Sequence, residues 1–277
     1  MNFRGKLQFV ARTDVGQIRD HNEDFITENE SQGFALLADG MGGLNAGEVA
    51  SSMAVQLMVD ELKDYRAGSS VIAAEVNSGS SALAKEAQVI RNAVEKVNSS
   101  VFHVSQTQPD CQGMGTTIVV AYYYDNKISV AHLGDSRMYR FRAGRLEQIT
   151  RDHSFVQEQI DKGLFTREEA RDSDKKNVVT RALGVAEFVD VEVHIHAVEA
   201  GDLYLMSSDG LHDLVTDTDI ENSMVELSPN LNELAAHLVN LANLAGGKDN
   251  ISVILTRVVK PYPFKSSIID RVAKWFV

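Results

Sequence analysis

Acidic residues at the ends of apolar runs carry most of the chemistry this sequence could do. The relevant motifs are Asp39-Gly40-Met41-Gly42-Gly43, Gly134-Asp135-Ser136-Arg137, Ser208-Asp209-Gly210 and Gly247-Lys248-Asp249-Asn250, with the pair Glu23-Asp24 shortly after Arg19. Any single Asp-Gly pair reads as a turn, because Asp bonds its own backbone and Gly accepts positive φ. Together they say more, since each lies where a strand-like run gives way to a turn, so that the carboxylates can converge on one edge of a sheet. Converged carboxylates repel one another unless cations neutralise them, and oxygen-only ligation suits magnesium or manganese. With no side chain in the way, the Gly40 carbonyl can itself approach a cation. Two such ions about 4 Å apart lower the pKa of a bridging water, which can then attack an electrophile in line. Arg19 is the complementary group. A guanidinium grips a phosphoryl group through two parallel hydrogen bonds, which lysine cannot do; the plainer reading is a surface arginine.

The elements that must hold these motifs are legible from periodicity. Residues 7–15 and 34–38 read as strands, the second being the run Phe34-Ala35-Leu36-Leu37-Ala38 that stops at Asp39. Apolar residues at Val49, Met53, Leu57 and Leu62 mark an amphipathic helix from Ala46 to about Tyr65. A longer helix follows through Leu83, Ala87, Ile90, Val94, Val97, Val101 and Val104. Strands are expected over Thr116–Tyr124, Ile128–His132 and Met138–Arg142, with hairpin turns at 125–127 and 143–144. Residues 150–180 are polar with weak periodicity and read as an exposed insertion. Val189–Ala197 alternates as a strand with one wet face, and Leu203–Ser207 and Ile251–Val258 are strands around a helical stretch near 231–245. Hairpin-linked strands with helices grouped in sequence indicate an α+β layered fold with largely antiparallel sheets.

Composition narrows the function. Apolar residues make up 44% and charged residues 24%, enough for a sizeable core in one large domain or two small ones. A net charge of −12 argues against nucleic acid, which needs a basic footprint. The single cysteine, Cys111, excludes an intrachain disulfide and a Cys-rich zinc site, and reads as a buried thiol. No apolar stretch follows the N-terminal residues as in a signal peptide, and none is long enough to span a bilayer, so a cytoplasmic protein is expected.

The motifs, taken in order, resemble the bacterial branch of the type 2C (metal-dependent) protein phosphatases. The resemblance rests on Arg19-Asp20-His21-Asn22-Glu23-Asp24, Gly115-Thr116-Thr117 and the four aspartate motifs above, with 150–154 (TRDHS) and 180–184 (TRALG) as further pieces, and it spans residues 7 to about 258. It implies a four-layer α-β-β-α sandwich of two antiparallel sheets flanked by helices, over residues 1–259. It also implies a serine/threonine protein phosphatase that hydrolyses phosphoserine and phosphothreonine by attack of a metal-bridged hydroxide. By the same resemblance Asp39 bridges two manganese or magnesium ions, Gly40 adds its carbonyl, Asp209 and Asp249 hold the other ion, and Glu23 acts through water. Asp135, with Asp209, matches a weaker third-ion site; Arg19 binds the phosphate; the insertion is a flap that affects substrate choice. Phosphorylated proteins, a serine/threonine kinase among them, are the implied partners. Where the animal branch often has a histidine two residues after the bridging aspartate, this chain has Met41, which leaves the general acid unassigned. His153 is a tempting substitute, although a structural role fits it better, and His194 and His196 read as wet-face residues rather than ligands.

Residues 260–277 differ from the rest. Lys260, Lys265, Arg271 and Lys274 alternate with Ile268, Ile269, Val272, Trp275 and Phe276, a basic amphipathic tail suited to a membrane surface or a partner, or folded back over apolar surface. Two other functions would leave different marks in the sequence. A catalytically inactive regulatory or binding module of the same fold would show damaged acidic motifs, and these are intact. A kinase or nucleotide-binding protein would need a Gly-rich loop such as GxxxxGK[ST], and none occurs.

Overall fold

The computed structural model describes residues 2–43, 46–72, 84–171 and 173–263. Its strands are β1 (Leu7–Asp14), β2 (Asp24–Asn29), β3 (Phe34–Met41), β4 (Gly115–Thr116), β5 (Ile118–Tyr124), β6 (Lys127–Leu133), β7 (Arg137–Arg142), β8 (Arg145–Gln148), β9 (Glu192–Ala197), β10 (Leu203–Ser207) and β11 (Ile251–Val258). The helices are α1 (Ala46–Ala67), α2 (Lys85–Thr107), α3 (Phe155–Asp161), α4 (Arg167–Arg171), α5 (Asp209–His212), α6 (Asp217–Leu227) and α7 (Leu231–Leu244). Two antiparallel sheets form, in the orders β1-β11-β10-β7-β8 and β2-β3-β5-β6-β9, and β4 extends the second by pairing with β3.

The run Phe34–Ala38 is apolar throughout because both of its faces are buried. Leu36 and Ala38 join Val120 and Tyr122 under α1 and α2, with Met58, Leu62, Ile90 and Val94 above them. Ala35 and Leu37 point the other way, into the space between the sheets, beside Val119, Tyr123, Met206 and Ile254. Across the sheet that contains β10 and β11 the alternation repeats: Leu205, Val253 and Leu255 face α6 and α7, against Met224, Leu234 and Leu238. Helix, sheet, sheet, helix is the four-layer order that the resemblance implied. Aromatic edges fill the middle layer, with Tyr123 at 6.0 Å from Tyr204 and 5.9 Å from Phe9 in T-shaped contacts.

Several boundaries differ from the sequence expectation. The strands β2 and β8, the sequences DFITEN and RLEQ, have no apolar run to announce them. The expected strand from Val189 begins only at Glu192. On that edge strand Ile195 is exposed and His196 half-buried, so the alternation predicted from the sequence is not kept. The 150–180 insertion contains α3 and α4 and is closed at its neck by the bridge between Ser154 and Val179. Cys111 is buried and free. At the start of the C-terminal segment Tyr262 packs fully buried, its N–H donating to Asn126 Oδ1 (2.6 Å). The tail residues Lys265 to Phe276 lie outside the described residues, as does Leu83. No helix among the described residues is long and apolar enough to cross a membrane.

Candidate metal centre

Antiparallel pairing brings the acidic motifs to one end of the sandwich. Asp24 at the start of β2 lies opposite Asp39 near the end of β3. In the other sheet Ser207, at the end of β10, pairs with both Arg137 and Val253, so the turns carrying Asp135, Asp209 and Asp249 come together.

Asp39 is fixed through its backbone. Its N–H donates to Thr117 Oγ1 (3.0 Å), and its carbonyl accepts from the Thr117 N–H (2.8 Å) and Thr116 Oγ1 (2.8 Å). Thr117 Oγ1 is also 2.7 Å from Ser136 Oγ, which ties this clamp to the turn bearing Asp135. Gly40 is obligatory for a packing reason: a Cβ there would run into the Gly47 carbonyl at the start of α1 and approach the Glu23 carbonyl. The Gly40 N–H donates to that Glu23 carbonyl (3.1 Å). Asp209 is the first residue of α5, and Asp249 sits before β11 with its Oδ1 accepting the Asn250 N–H (2.9 Å). Asn250 acts as a clamp. Its Oδ1 accepts the Glu23 N–H (2.8 Å), and its Nδ2 donates to the Val15 and His21 carbonyls (3.0 and 2.9 Å).

The electrostatics of this end are strained. Burial, followed by the charges of Asp24, Asp209, Asp135 and Asp249, pushes the Asp39 carboxyl well above its usual range. Burial and then Asp135, Asp249, Asp213 and Asp24 do the same to Asp209. Asp135 rises to about 6, through burial first and then Asp152. Asp24 also rises to about 6, through burial, despite Ser208 Oγ donating to its Oδ2 (2.8 Å); its buried Oδ1 has no hydrogen-bond partner. Glu23 is raised as well, by burial. One countercharge at the rim of this cluster is Arg19, whose Nη2 lies 2.6 Å from Asp249 Oδ2. Burial lowers the Arg19 pKa, but the bond to Asp249 and the charges of Asp249, Glu23 and Asp209 outweigh that and raise it.

Carboxylates held together against their own repulsion, with an orphaned buried oxygen among them and no nitrogen or sulfur donor, fit hard divalent cations. The donors are not drawn tight around a point: among the described residues, the group whose ligand atoms all lie within 4.8 Å is instead His132, His153 and Glu192. Magnesium and manganese keep several waters in the shell, so the protein need not supply every ligand.

A cavity of about 340 Å³ opens beside Asp135, between the 150–180 insertion and the core, with Arg137, Asp152, Lys176, Asp213 and Asp217 in its walls. Lys176 ties the insertion across it, its Nζ 2.8 Å from Asp213 Oδ2. Of the residues the sequence singled out, Glu23, Asp39, Asp135, Asp209, Asp249 and Arg19 are neighbours at this end, and Gly40 adjoins them. Asn250, Thr117 and Asp213 were not singled out individually. For Asn250 and Thr117 the only signal was their place inside motifs.

An all-oxygen acidic centre at the end of a double antiparallel sandwich, with an arginine at its rim, defines a metal-dependent hydrolase of phosphate esters. The sequence matches the family described as protein phosphatase 2C over residues 16–243, and the chain belongs to that family. It is 37% identical over 247 residues to the serine/threonine phosphatase stp of Listeria welshimeri, covering 88% of this chain and 93% of that one. It is also similar to the crystal structure of the Mycobacterium tuberculosis serine/threonine phosphatase PstP/Ppp, with a TM-score of 0.77, 34% identity, and coverage of 91% and 98% of the two chains. A second structure, the PstP catalytic domain in complex with two manganese ions, gives a TM-score of 0.76 at 36% identity, covering 92% and 99%.

Proposed function

We propose that this metal-dependent serine/threonine protein phosphatase works at the acidic end just described, and that Asp39, Asp209 and Asp249, with the Gly40 carbonyl and Glu23 through water, hold two divalent ions. The observation that carries the assignment is the mutual crowding of Asp39 and Asp209, each forced toward its protonated form by burial and by the other carboxylates. Cations would relieve that cost directly. When bound, the ions supply Lewis acidity toward the phosphoryl oxygens and an activated water.

The residues of the chain do the rest. Arg19, at the rim and 47% exposed at its side chain, turns from Asp249 to the incoming phosphoryl group and pairs with two of its oxygens. Asp135, with Asp209, holds a weaker third ion. The flap cavity receives the residues around the phosphorylated position, so its charged walls influence which phosphoproteins are chosen. The sequence suits manganese and magnesium alike, and a serine/threonine kinase is among the substrates expected for such an enzyme. Met41 offers no proton to the leaving alcohol, and the His153 ring is engaged with the Gly134 turn, so neither is assigned as its acid.

The test is hydrolysis of a phosphothreonine peptide with and without Mn2+, beside Asp209→Asn. Activity should require the metal and fall by at least about a thousandfold in the variant. Turnover in excess chelator, or an unimpaired variant, overturns the assignment.

A further inference from the structure

His132, His153 and Glu192 lie together behind the Asp135 turn, away from the acidic cluster itself. One ligand atom from each falls within 4.8 Å of the others, which at first sight is a metal site. The hydrogen bonds say otherwise. His132 Nε2 is 2.8 Å from the Arg151 carbonyl, which can only accept, so the ring proton is there and Nδ1 keeps a free lone pair. In His153 the pattern is reversed: Nδ1 accepts the Gly134 N–H (3.2 Å), which places the proton on Nε2; Glu192 Oε1 lies 3.2 Å from that nitrogen without forming a hydrogen bond to it. The two rings also lie nearly parallel, 13° apart with centroids at 4.7 Å, so their in-plane lone pairs do not converge on one point. The group is a brace rather than a ligand set.

What it braces is the turn that presents Asp135. The His153 N–H donates to the Gly134 carbonyl (2.9 Å) while its ring accepts from the Gly134 N–H, so both polar groups of that one residue are held. Gly134 has φ +103°, and a Cβ would strike Thr117; a backbone in that region is sharply bent and needs holding on both sides. His153 also belongs to the neck of the flap. Its carbonyl accepts the Thr180 N–H (2.8 Å), and the next residues close the neck through Phe155 N–H to the Val178 carbonyl (2.8 Å). His153 is 5% exposed and His132 fully buried, so the stack is rigid.

We infer that His153 is a positioning residue: stacked on His132 and beside Glu192, it ties the Gly134–Asp135 turn to the neck of the flap and so holds Asp135 where it can serve an ion. The part of this that concerns an ion rests on the reading of Asp135 given above. The part that concerns the turn does not.

The test compares His153→Phe, which keeps a ring on His132 but has no acceptor, with His153→Asn, whose Oδ1 can accept the same N–H. Both are made in the full chain and loaded with Mn2+. Two quantities are read: hydrogen exchange at the Gly134 amide, and the Mn2+ concentration giving half-maximal activity on a phosphothreonine peptide. In His153→Phe the Gly134 amide should exchange about tenfold faster and half-saturation should need about tenfold more Mn2+, with kcat at saturating Mn2+ reduced less. His153→Asn should recover most of both. Unchanged Gly134 exchange in His153→Phe overturns the inference, and so do equal losses in the two variants, which mark a merely structural histidine. Asp135→Asn separates the two readings. If it leaves the Mn2+ requirement unchanged, Asp135 is no ion ligand, and the exchange at Gly134 alone decides the brace.

Discussion

Arg19 and Asp249 form an ion pair 2.6 Å long at the rim of the acidic end, with nearly half of the arginine side chain in water. Exposed pairs of this kind add little stability, so Arg19 can leave Asp249 for a phosphoryl group at small cost. Arg19→Lys keeps the charge and loses the fork. KM for a phosphothreonine peptide should rise about tenfold with the Mn2+ requirement little changed, because lysine cannot make the bidentate contact; steady-state kinetics at saturating Mn2+ would show it, and an unchanged KM would remove Arg19 from substrate binding. Asn250→Ala is the structural counterpart. It strands the Glu23 N–H and the Val15 and His21 carbonyls, and should lower stability by about 2 kcal/mol in denaturant melts. At this scale the sequence was informative wherever chemistry has a local signature. An aspartate at the end of an apolar run, next to glycine, stands out by itself, as Asp39 and Asp209 do. Asn250 and Asp213 do not, since what they do depends on residues far away in the chain: Asn250 on Glu23, and Asp213 on Lys176.

The elements position those side chains through burial on both faces. Leu37 lies between the sheets, fully buried, two residues before Asp39. Leu37→Ala should cost about 2–5 kcal/mol through lost transfer energy and the cavity left behind. Because the Asp39 backbone is clamped separately by Thr116 and Thr117, the Mn2+ requirement of the folded fraction should stay the same. Thermal melts together with Mn2+ titrations would check both halves, and a shifted Mn2+ requirement would mean that the strand and not the clamp sets the ligand. The same physics explains which elements could be read in advance. Strands β3, β10 and β11 are continuous apolar runs, and α2 carries a clean stripe. The short edge strand β8 and the strand β2 have half-buried faces and mixed composition, and α6 hides only Ile220, Ser223 and Met224, so local pattern gives them little voice. The particular pairing that brings the acidic turns to one end is a long-range property: hairpin-linked strands indicate largely antiparallel sheets and the strand-end positions allow convergence, but the arrangement in two stacked sheets followed only from the resemblance.

For the whole molecule, the net charge of −12 and the crowded carboxylates at one end act together on stability. A carboxyl whose folded pKa is raised above its unfolded value near 4 takes up a proton on folding, so its effect is a loss of stability as pH rises through that interval and above it. For Asp135 the interval runs from about 4 to about 6. In chelator, Asp135→Asn should therefore melt higher than the parent at pH 7.5, by about 4 °C, with the difference shrinking through the interval and vanishing below about pH 4, where the parent carboxyl is protonated in both the folded and the unfolded state. Differential scanning calorimetry at the two pH values would test this, and a variant that melts lower at pH 7.5 would contradict the crowding. Added Mn2+ should reverse the order at pH 7.5, because the parent then gains the binding energy that the variant has partly lost. The claim on which all of this depends is that the acidic end holds the ions, and it is tested most directly by an anomalous difference map of crystals soaked in Mn2+. Two strong peaks, bridged by Asp39 and with Asp209 and Asp249 in the shell, are the predicted result. Peaks elsewhere with none between those aspartates would contradict it.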